Sequence, residues 1–108
     1  MQTTKYLTTL FIAGAMLTTQ AIAANDATPL AQKSGCFACH SIDKKVMGPA
    51  WKDVAAKYRG DASAEAKLVT KVSKGGSGVW GTMAMPAQAP KVQEADIKTL
   101  VKFVLSLK

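Results

Sequence analysis

The chain contains two cysteines and one histidine, and all three lie in one five-residue segment, 36–40. The segment reads Cys36-Phe37-Ala38-Cys39-His40, and a C-x-x-C-H pattern is typical of covalent attachment of c-type haem. In that chemistry each thiol adds across one vinyl group of the porphyrin, and the two-residue gap lets one helical turn present both thiols. The histidine then faces the iron from one side of the ring. We therefore expect Cys36 and Cys39 to hold one haem c and His40 to bind its iron.

Other chemistries also use cysteines at this spacing. A thioredoxin-like redox pair is expected in a strand–helix setting within a βαβ fold, and no such pattern occurs in this sequence. A zinc site takes four ligands, and the chain has only three residues of the cysteine and histidine types. A simple disulfide stays open as an alternative, but it leaves His40 without a role.

The first 23 residues differ from the rest of the chain. Lys5 precedes a mostly apolar stretch of eleven residues, 7–17, and small residues follow. This is the pattern of a secretory signal peptide, and it predicts cleavage after Ala23 or Ala24. The apolar stretch is too short for a membrane anchor, since a spanning helix needs about 20 residues. We expect export to the periplasm, no stable membrane anchor, and a mature domain over 24–108.

A mature domain of 85 residues is small for a core made of protein alone, and a large buried cofactor would stabilise it. Thirteen of the 14 basic residues and all seven acidic residues lie beyond residue 23, which leaves a net charge of +6. A basic surface can meet nucleic acid, anionic lipid or an acidic protein. Export argues against nucleic acid, and scattered lysines also serve solubility. The expected partners are larger redox proteins with acidic patches.

The iron needs a second axial ligand, and a methionine thioether is expected because the chain has no second histidine. Such His/Met ligation is typical of electron-carrying cytochromes. Two of the five methionines lie in the signal segment, and Met47 follows the haem motif so closely that it should lie on the His40 side. Met83 and Met85 remain as candidates. Pro86 favours an extended backbone at the residue before it, so Met85 is preferred and Met83 stays open.

Helical patterns fill most of the mature chain, and no alternating strand pattern competes with them. Four helices are predicted, at about 28–34, 50–59, 64–74 and 93–107. Thr28 is the expected cap of the first helix, with Pro29 at its first position, and Ser63 is the expected cap of the third. A long segment rich in glycine, proline and alanine, 75–90, joins the third and fourth helices, and a connection of that length is usually functional. The predicted fold is all-α, wrapped around one covalently bound haem.

Over almost its full mature length, 28–108, the chain resembles the cytochrome c-551 type of class I bacterial cytochrome c. The match is carried by 35–42 (GCFACHSI), 47–58 (MGPAWKDVAAKY), 78–86 (GVWGTMAMP) and the ending 100–108. The resemblance implies the small class I cytochrome c fold and a soluble, monomeric carrier of one electron at a time between respiratory proteins, with no enzymatic activity.

The resemblance also implies roles around the haem. The family's loop methionine supplies the iron sulfur, which by resemblance is Met85. The proline that matches Pro49 accepts the N–H of the ligand histidine through its carbonyl and so fixes the ring of His40. The loop tryptophan typically donates to a haem propionate, which implies that role for Trp80, with ordinary packing as the alternative. Lys71 stands where the family usually has an arginine near the propionate.

The loop departs from the family pattern at three positions. Thr82 and Ala84 replace prolines that are usual around the methionine, and Gln88 replaces an asparagine that commonly supports it. The resemblance therefore does not carry over the stiffness of the loop or the redox potential. A fold that holds the haem should leave a void in the polypeptide bordered by Cys36, His40, Trp80 and Met85.

Two other function classes remain as alternatives to the carrier. A haem enzyme or gas sensor would need the methionine to dissociate, and peroxidase-like chemistry needs an acid/base group that no second histidine supplies. A haemless thiol oxidoreductase would use Cys36 and Cys39 as a redox pair. With both axial positions of an iron filled by His40 and Met85, no site is open for a substrate.

Overall fold

The structure is a computed structural model that describes Gly14 and residues 26–108. The predicted signal peptide, apart from Gly14, and the predicted cleavage sites after Ala23 or Ala24 lie outside the described residues. The elements that the described residues form are α1 (Thr28–Lys33), a 3₁₀ turn (Cys36–Ala38), α2 (Trp51–Lys57), α3 (Ala64–Lys74), β1 (Gly76–Gly78), β2 (Gly81–Met85) and α4 (Glu94–Ser106).

The predicted side-chain caps of α1 and α3 do not form, and an aspartate lies two residues upstream of each predicted cap residue. Thr28 is the first residue of α1 rather than its cap, and its backbone N–H donates to Asp26 Oδ1 at 3.0 Å. Ser63 occupies the cap position of α3, but its side chain does not cap the helix. Instead, Asp61 Oδ1 accepts from the Ser63 backbone N–H at 2.8 Å and from the Ser63 hydroxyl at 2.6 Å.

The core lies along the inner face of α4. Its apolar residues recur at three- and four-residue intervals, and this spacing puts them on one side of a helix. That inner face packs against α1, α2 and α3. The buried residues of α4 are Ile97, Leu100, Val101 and Val104. The same periodicity in the sequence predicts Leu105 as a fifth member of this face, but Leu105 is only partly buried.

The segment between α3 and α4 is not the simple loop that the sequence predicts. β1 and β2 pair as an antiparallel hairpin, with Gly76 opposite Met85 and Gly78 opposite Gly81. These strands consist largely of glycine and other exposed residues, so they carry no alternating apolar pattern that could have indicated them. The fold class is confirmed as mainly helical, with this small sheet added.

No helix within residues 26–108 has the length and apolar character needed to cross a bilayer.

Candidate cofactor site

A cavity of about 640 Å³ lies between the C-x-x-C-H segment and the hairpin. The segment 34–54, helix α3, the hairpin and the inner face of α4 supply its walls. The four residues expected to border a void all line it: Cys36, His40, Trp80 and Met85. The other predicted site residues, Cys39, Pro49 and Lys71, line it as well. The fold therefore brings every predicted site residue to one cavity.

The 3₁₀ turn positions both thiols. The backbone N–H groups of Cys39 and His40 donate to the carbonyl of Cys36 at 3.2 and 3.0 Å, so the segment folds tightly back on itself. Both thiols are half-buried and neither forms a disulfide. Burial raises the pKa of the Cys36 thiol. A reactive redox cysteine needs the opposite shift, so the environment of Cys36 does not favour the haemless thiol oxidoreductase.

The imidazole of His40 is oriented by a backbone carbonyl. Its Nδ1 lies 2.9 Å from the carbonyl oxygen of Pro49. Because a carbonyl can only accept, Nδ1 carries the proton, and in the neutral ring Nε2 keeps the lone pair that a metal would bind. The backbone N–H of Gly48 donates to the carbonyl of Cys39 at 2.7 Å and holds the loop against the motif.

Residue 48 must be glycine because the imidazole lies directly against it. A Cβ at Gly48 would stand 2.6 Å from Cε1 of His40 and 2.9 Å from Nδ1. A side chain would therefore push the ring out of its place. The close approach of backbone to ring is what allows Pro49 to reach Nδ1.

Trp51 is a site residue whose helical spacing with Val54 and Tyr58 predicts only a place on the inner face of α2. Its ring centroid lies 5.8 Å from that of His40 and 5.1 Å from that of Phe37, and the residue is buried. Its backbone N–H donates to the carbonyl of Ser41 at 2.9 Å, which ties the start of α2 to the residue after the imidazole. The sequence feature that could have indicated this role is the position of Trp51, two residues after Pro49 and at the first turn of a predicted helix.

Met85 is held in position through its backbone. Gly75 packs against the Met85 carbonyl so closely that a Cβ at Gly75 would collide with it, and that Cβ would also lie 2.7 Å from the backbone nitrogen of Ala87. Just beyond, the backbone N–H of Gln88 donates to the carbonyl of Val72 at 3.0 Å. The half-buried Met85 is therefore anchored to the end of α3. Met83 and Met47 also line the cavity but are exposed.

Trp80 and Lys71 lie at the hairpin side of the cavity. Trp80 occupies the tip of the hairpin, and the Lys57 ammonium sits 5.7 Å from the centroid of its ring. Lys71 comes from the last turn of α3, near Gly76. Within residues 26–108 neither the indole N–H of Trp80 nor the ammonium of Lys71 has a hydrogen-bonding or ion-pair partner, although an exposed ammonium is also satisfied by water.

The donor set of the cavity fits an iron porphyrin. It combines two thiols on one turn, an imidazole with a free Nε2 and a thioether, within walls that are largely apolar. A haem held in this cavity would be bound by Cys36 and Cys39, with His40 and Met85 as donors for its iron. In the described part of the chain no three histidine, cysteine, aspartate or glutamate residues cluster as a metal site.

Comparisons with known proteins identify the family. A model of the Cytochrome c family matches residues 24–108. Cytochrome c-551 of Allochromatium vinosum is 59% identical over 78 residues, which are 72% of this chain and 82% of that protein. Cytochrome c-551 of Pseudomonas aeruginosa is 46% identical over 102 residues, which are 94% of this chain and 95% of that protein.

A solved structure shows the same fold. The crystal structure of wild-type cytochrome c552 from Nitrosomonas europaea superposes with a TM-score of 0.70 at 46% sequence identity. The match covers 74% of this chain and 98% of that one. The class I cytochrome c fold and the single covalent haem c follow from this set of relatives. The chain therefore belongs to the cytochrome c family, and it is a monohaem electron carrier rather than an enzyme.

Proposed function

We propose that the mature protein, freed of residues 1–23, carries single electrons in the periplasm with its haem iron bound by Nε2 of His40 and the sulfur of Met85. The observation that carries the proposal is the cavity that both side chains line together with Cys36 and Cys39. The pattern of the first 23 residues supports export.

The haem, when bound, supplies an iron that alternates between the ferric and ferrous states. The residues of this chain set how easily it does so. A thioether ligand favours the ferrous state and raises the reduction potential, whereas the hydrogen bond from His40 Nδ1 to Pro49 makes the imidazole more basic and favours the ferric state. The apolar side chains of Leu100, Val101 and Val104 line the inner wall of the cavity and would shield that side of a bound haem from water. Trp80 and Lys71 are the proposed contacts of the haem propionates.

An exposed surface beside the haem motif supports docking to a larger redox protein. Val46 and Met47 are more than half exposed and follow two exposed lysines, Lys44 and Lys45. Lys33 is exposed near the start of the same motif. An apolar contact bordered by positive charge fits a brief encounter with an acidic patch on a partner, with the carrier acting as a monomer.

The proposed ligation is tested by spectroscopy of the holoprotein matured in the periplasm. Wild type is expected to show a sulfur-to-iron charge-transfer band in the near infrared in its ferric form. Met85→Ala should lose most of that band, whereas Met47→Leu should keep it. A wild-type spectrum without the band would contradict His/Met ligation.

The docking proposal is tested with charge variants. Lys44→Gln/Lys45→Gln should slow reduction by an acidic redox partner at low salt, and the difference should fade at high salt. Lys98→Gln/Lys102→Gln removes the same charge from α4, away from the cavity lining, and should slow the reaction less. Equal rates in the two double variants would remove the docking role.

A further inference from the structure

Met83 presents a second thioether to the cavity that holds Met85. Both methionines line this cavity, whereas Thr82, the residue before Met83, does not. Met83 is 63% exposed, while Met85 is half-buried. The hairpin therefore turns two potential iron ligands toward one space.

The register of the hairpin leaves Met83 free to move. Gly76 pairs with Met85 and Gly78 pairs with Gly81, so the single residue Ser77 faces the three residues 82–84 on β2. Met83 stands at the centre of this bulge, and residues within a bulge lack a regular partner in the ladder. It can shift without breaking either of the register pairs.

The distance between the two positions is within the reach of a methionine side chain. Two residues along a strand span about 6.6 Å at about 3.3 Å per residue, and a bulged strand spans less. The methionine side chain is unbranched and has three rotatable bonds. In addition, β1 consists only of glycine and serine, and glycine-rich strands specify their register weakly.

We infer that Met83 is a second axial ligand for the haem iron, subordinate to Met85, and that it takes the sixth position when the Met85 thioether is lost. The inference rests on the proposed His40/Met85 ligation. Met85 has precedence because its backbone is packed against Gly75 and tethered to α3. Met83 lacks this anchoring and loses more conformational freedom on binding.

Met47 provides a matched comparison. It also lines the cavity and is 55% exposed. It adjoins Gly48, however, whose Cα lies against the His40 imidazole, so it belongs to the side of the site that the histidine occupies. A thioether that merely lines the cavity is therefore not expected to replace Met85.

The experiment compares wild-type holoprotein with Met85→Ala, Met85→Ala/Met83→Leu and Met85→Ala/Met47→Leu. The near-infrared sulfur-to-iron band of the ferric protein should persist at reduced amplitude in Met85→Ala and in the Met47 double variant. It should be absent from the Met83 double variant. Added imidazole competes for the same position, so the Met83 double variant should bind it at least tenfold more tightly than Met85→Ala does.

Other outcomes overturn the inference in distinguishable ways. Absence of the band from Met85→Ala, together with equal imidazole affinity in Met85→Ala and the Met83 double variant, would show that Met83 does not bind the iron. A full-strength band in Met85→Ala that is lost in the Met83 double variant would reverse the order of the two ligands. A wild-type protein without the band would instead remove the proposed ligation. If Met85→Ala does not accumulate as holoprotein, Met85→Leu keeps the side-chain volume and serves in the same series.

Discussion

The Nδ1 atom of His40 donates a hydrogen bond to the carbonyl oxygen of Pro49 across 2.9 Å. The two residues are nine positions apart, and the chain between them folds back so that Gly48 lies against the imidazole. This single contact selects the tautomer, points Nε2 away from the backbone and fixes the plane of the ring. The orientation of the iron-binding nitrogen is therefore built into the backbone of the loop.

Gly48→Ala is expected to disturb that contact. The new Cβ would stand 2.6 Å from Cε1 of His40, so the ring must tilt away and weaken its bond to Pro49. We expect a loss of about 1–3 kcal/mol in the free energy of unfolding. We also expect a higher reduction potential, because a less basic imidazole stabilises the ferric state less. Denaturant unfolding and redox titration of the holoprotein measure the two effects.

Gly60→Ala is the control for that experiment. Gly60, unlike Gly48, has a positive φ of 82°, and a Cβ there would have no neighbour within 4 Å. The control should cost about 1 kcal/mol through backbone strain alone and leave the potential unchanged. Identical potentials in the two variants would show that Gly48 does not control the imidazole.

The contact between Lys57 and Trp80 is expected to hold the hairpin tip against the end of α2. The ammonium lies 5.7 Å from the ring centroid, within the range of a cation–π interaction. A double-mutant cycle of Lys57→Met and Trp80→Leu should give a coupling of about 0.5–1 kcal/mol. Hydrogen exchange of the β2 amides should be faster in Lys57→Met. Additive single-variant effects would mean that the two side chains do not stabilise each other.

Asp61 should make the stability of the protein depend on acid pH. Hydrogen bonds from the Ser63 hydroxyl and backbone, helped by Lys67, lower the pKa of Asp61 to about 2. A carboxyl whose pKa is lower in the folded state stabilises the fold above its ordinary value of 3.8, and that contribution disappears as the pH falls through about 2. Asp61→Asn should therefore lower the Tm at pH 7 but not below pH 2.

The variant Lys67→Gln distinguishes the contribution of Lys67 to the lowered pKa of Asp61 from that of Ser63. It removes the weaker contribution and keeps the Ser63 hydrogen bonds, so most of the pH dependence should remain. Thermal unfolding of the holoprotein between pH 2 and pH 7 provides the comparison. A constant Tm difference between wild type and Asp61→Asn across this range would exclude the mechanism.

Alanine variants of two core residues of α4 should show which loss of stability is accompanied by a change at the haem. Ile97 is 0% exposed and does not line the cavity, whereas Leu100 is 4% exposed and does. Truncation of either to alanine should cost about 2–5 kcal/mol. Ile97→Ala should leave the visible and near-infrared spectra of the native holoprotein unchanged, and Leu100→Ala should alter them. Equal spectral changes would place both residues at the haem.

Some features of this molecule follow from local sequence and others do not. The spacing of Ile97, Leu100, Val101 and Val104 is sufficient to predict the buried face of α4, because helix periodicity is a local property. The C-x-x-C-H segment likewise identifies its chemistry locally. The roles of Asp26 and Asp61 were missed because each accepts the backbone N–H of the predicted cap residue itself, a contact that depends on the local turn of the chain.

The remaining features depend on contacts between distant parts of the chain. The glycines of β1 pair through their backbones alone, so no side-chain pattern indicates the hairpin. Two contacts form only once α2, α3 and the hairpin have packed together. They are the contact of Gly75 with Met85 and the contact of Lys57 with Trp80. Trp51 could be assigned to the core, but its place beside His40 depends on the turn of the chain at Gly48 and Pro49.

The most direct test of the account is the intact mass of the protein purified from the periplasm under denaturing conditions. We predict the mass of a polypeptide that begins at Ala24 or Asn25 plus one haem, with the added mass confined to the peptide that contains Cys36 and Cys39. A fully processed protein with the mass of the bare polypeptide would contradict covalent attachment, and with it the role assigned to the cavity between His40 and Met85.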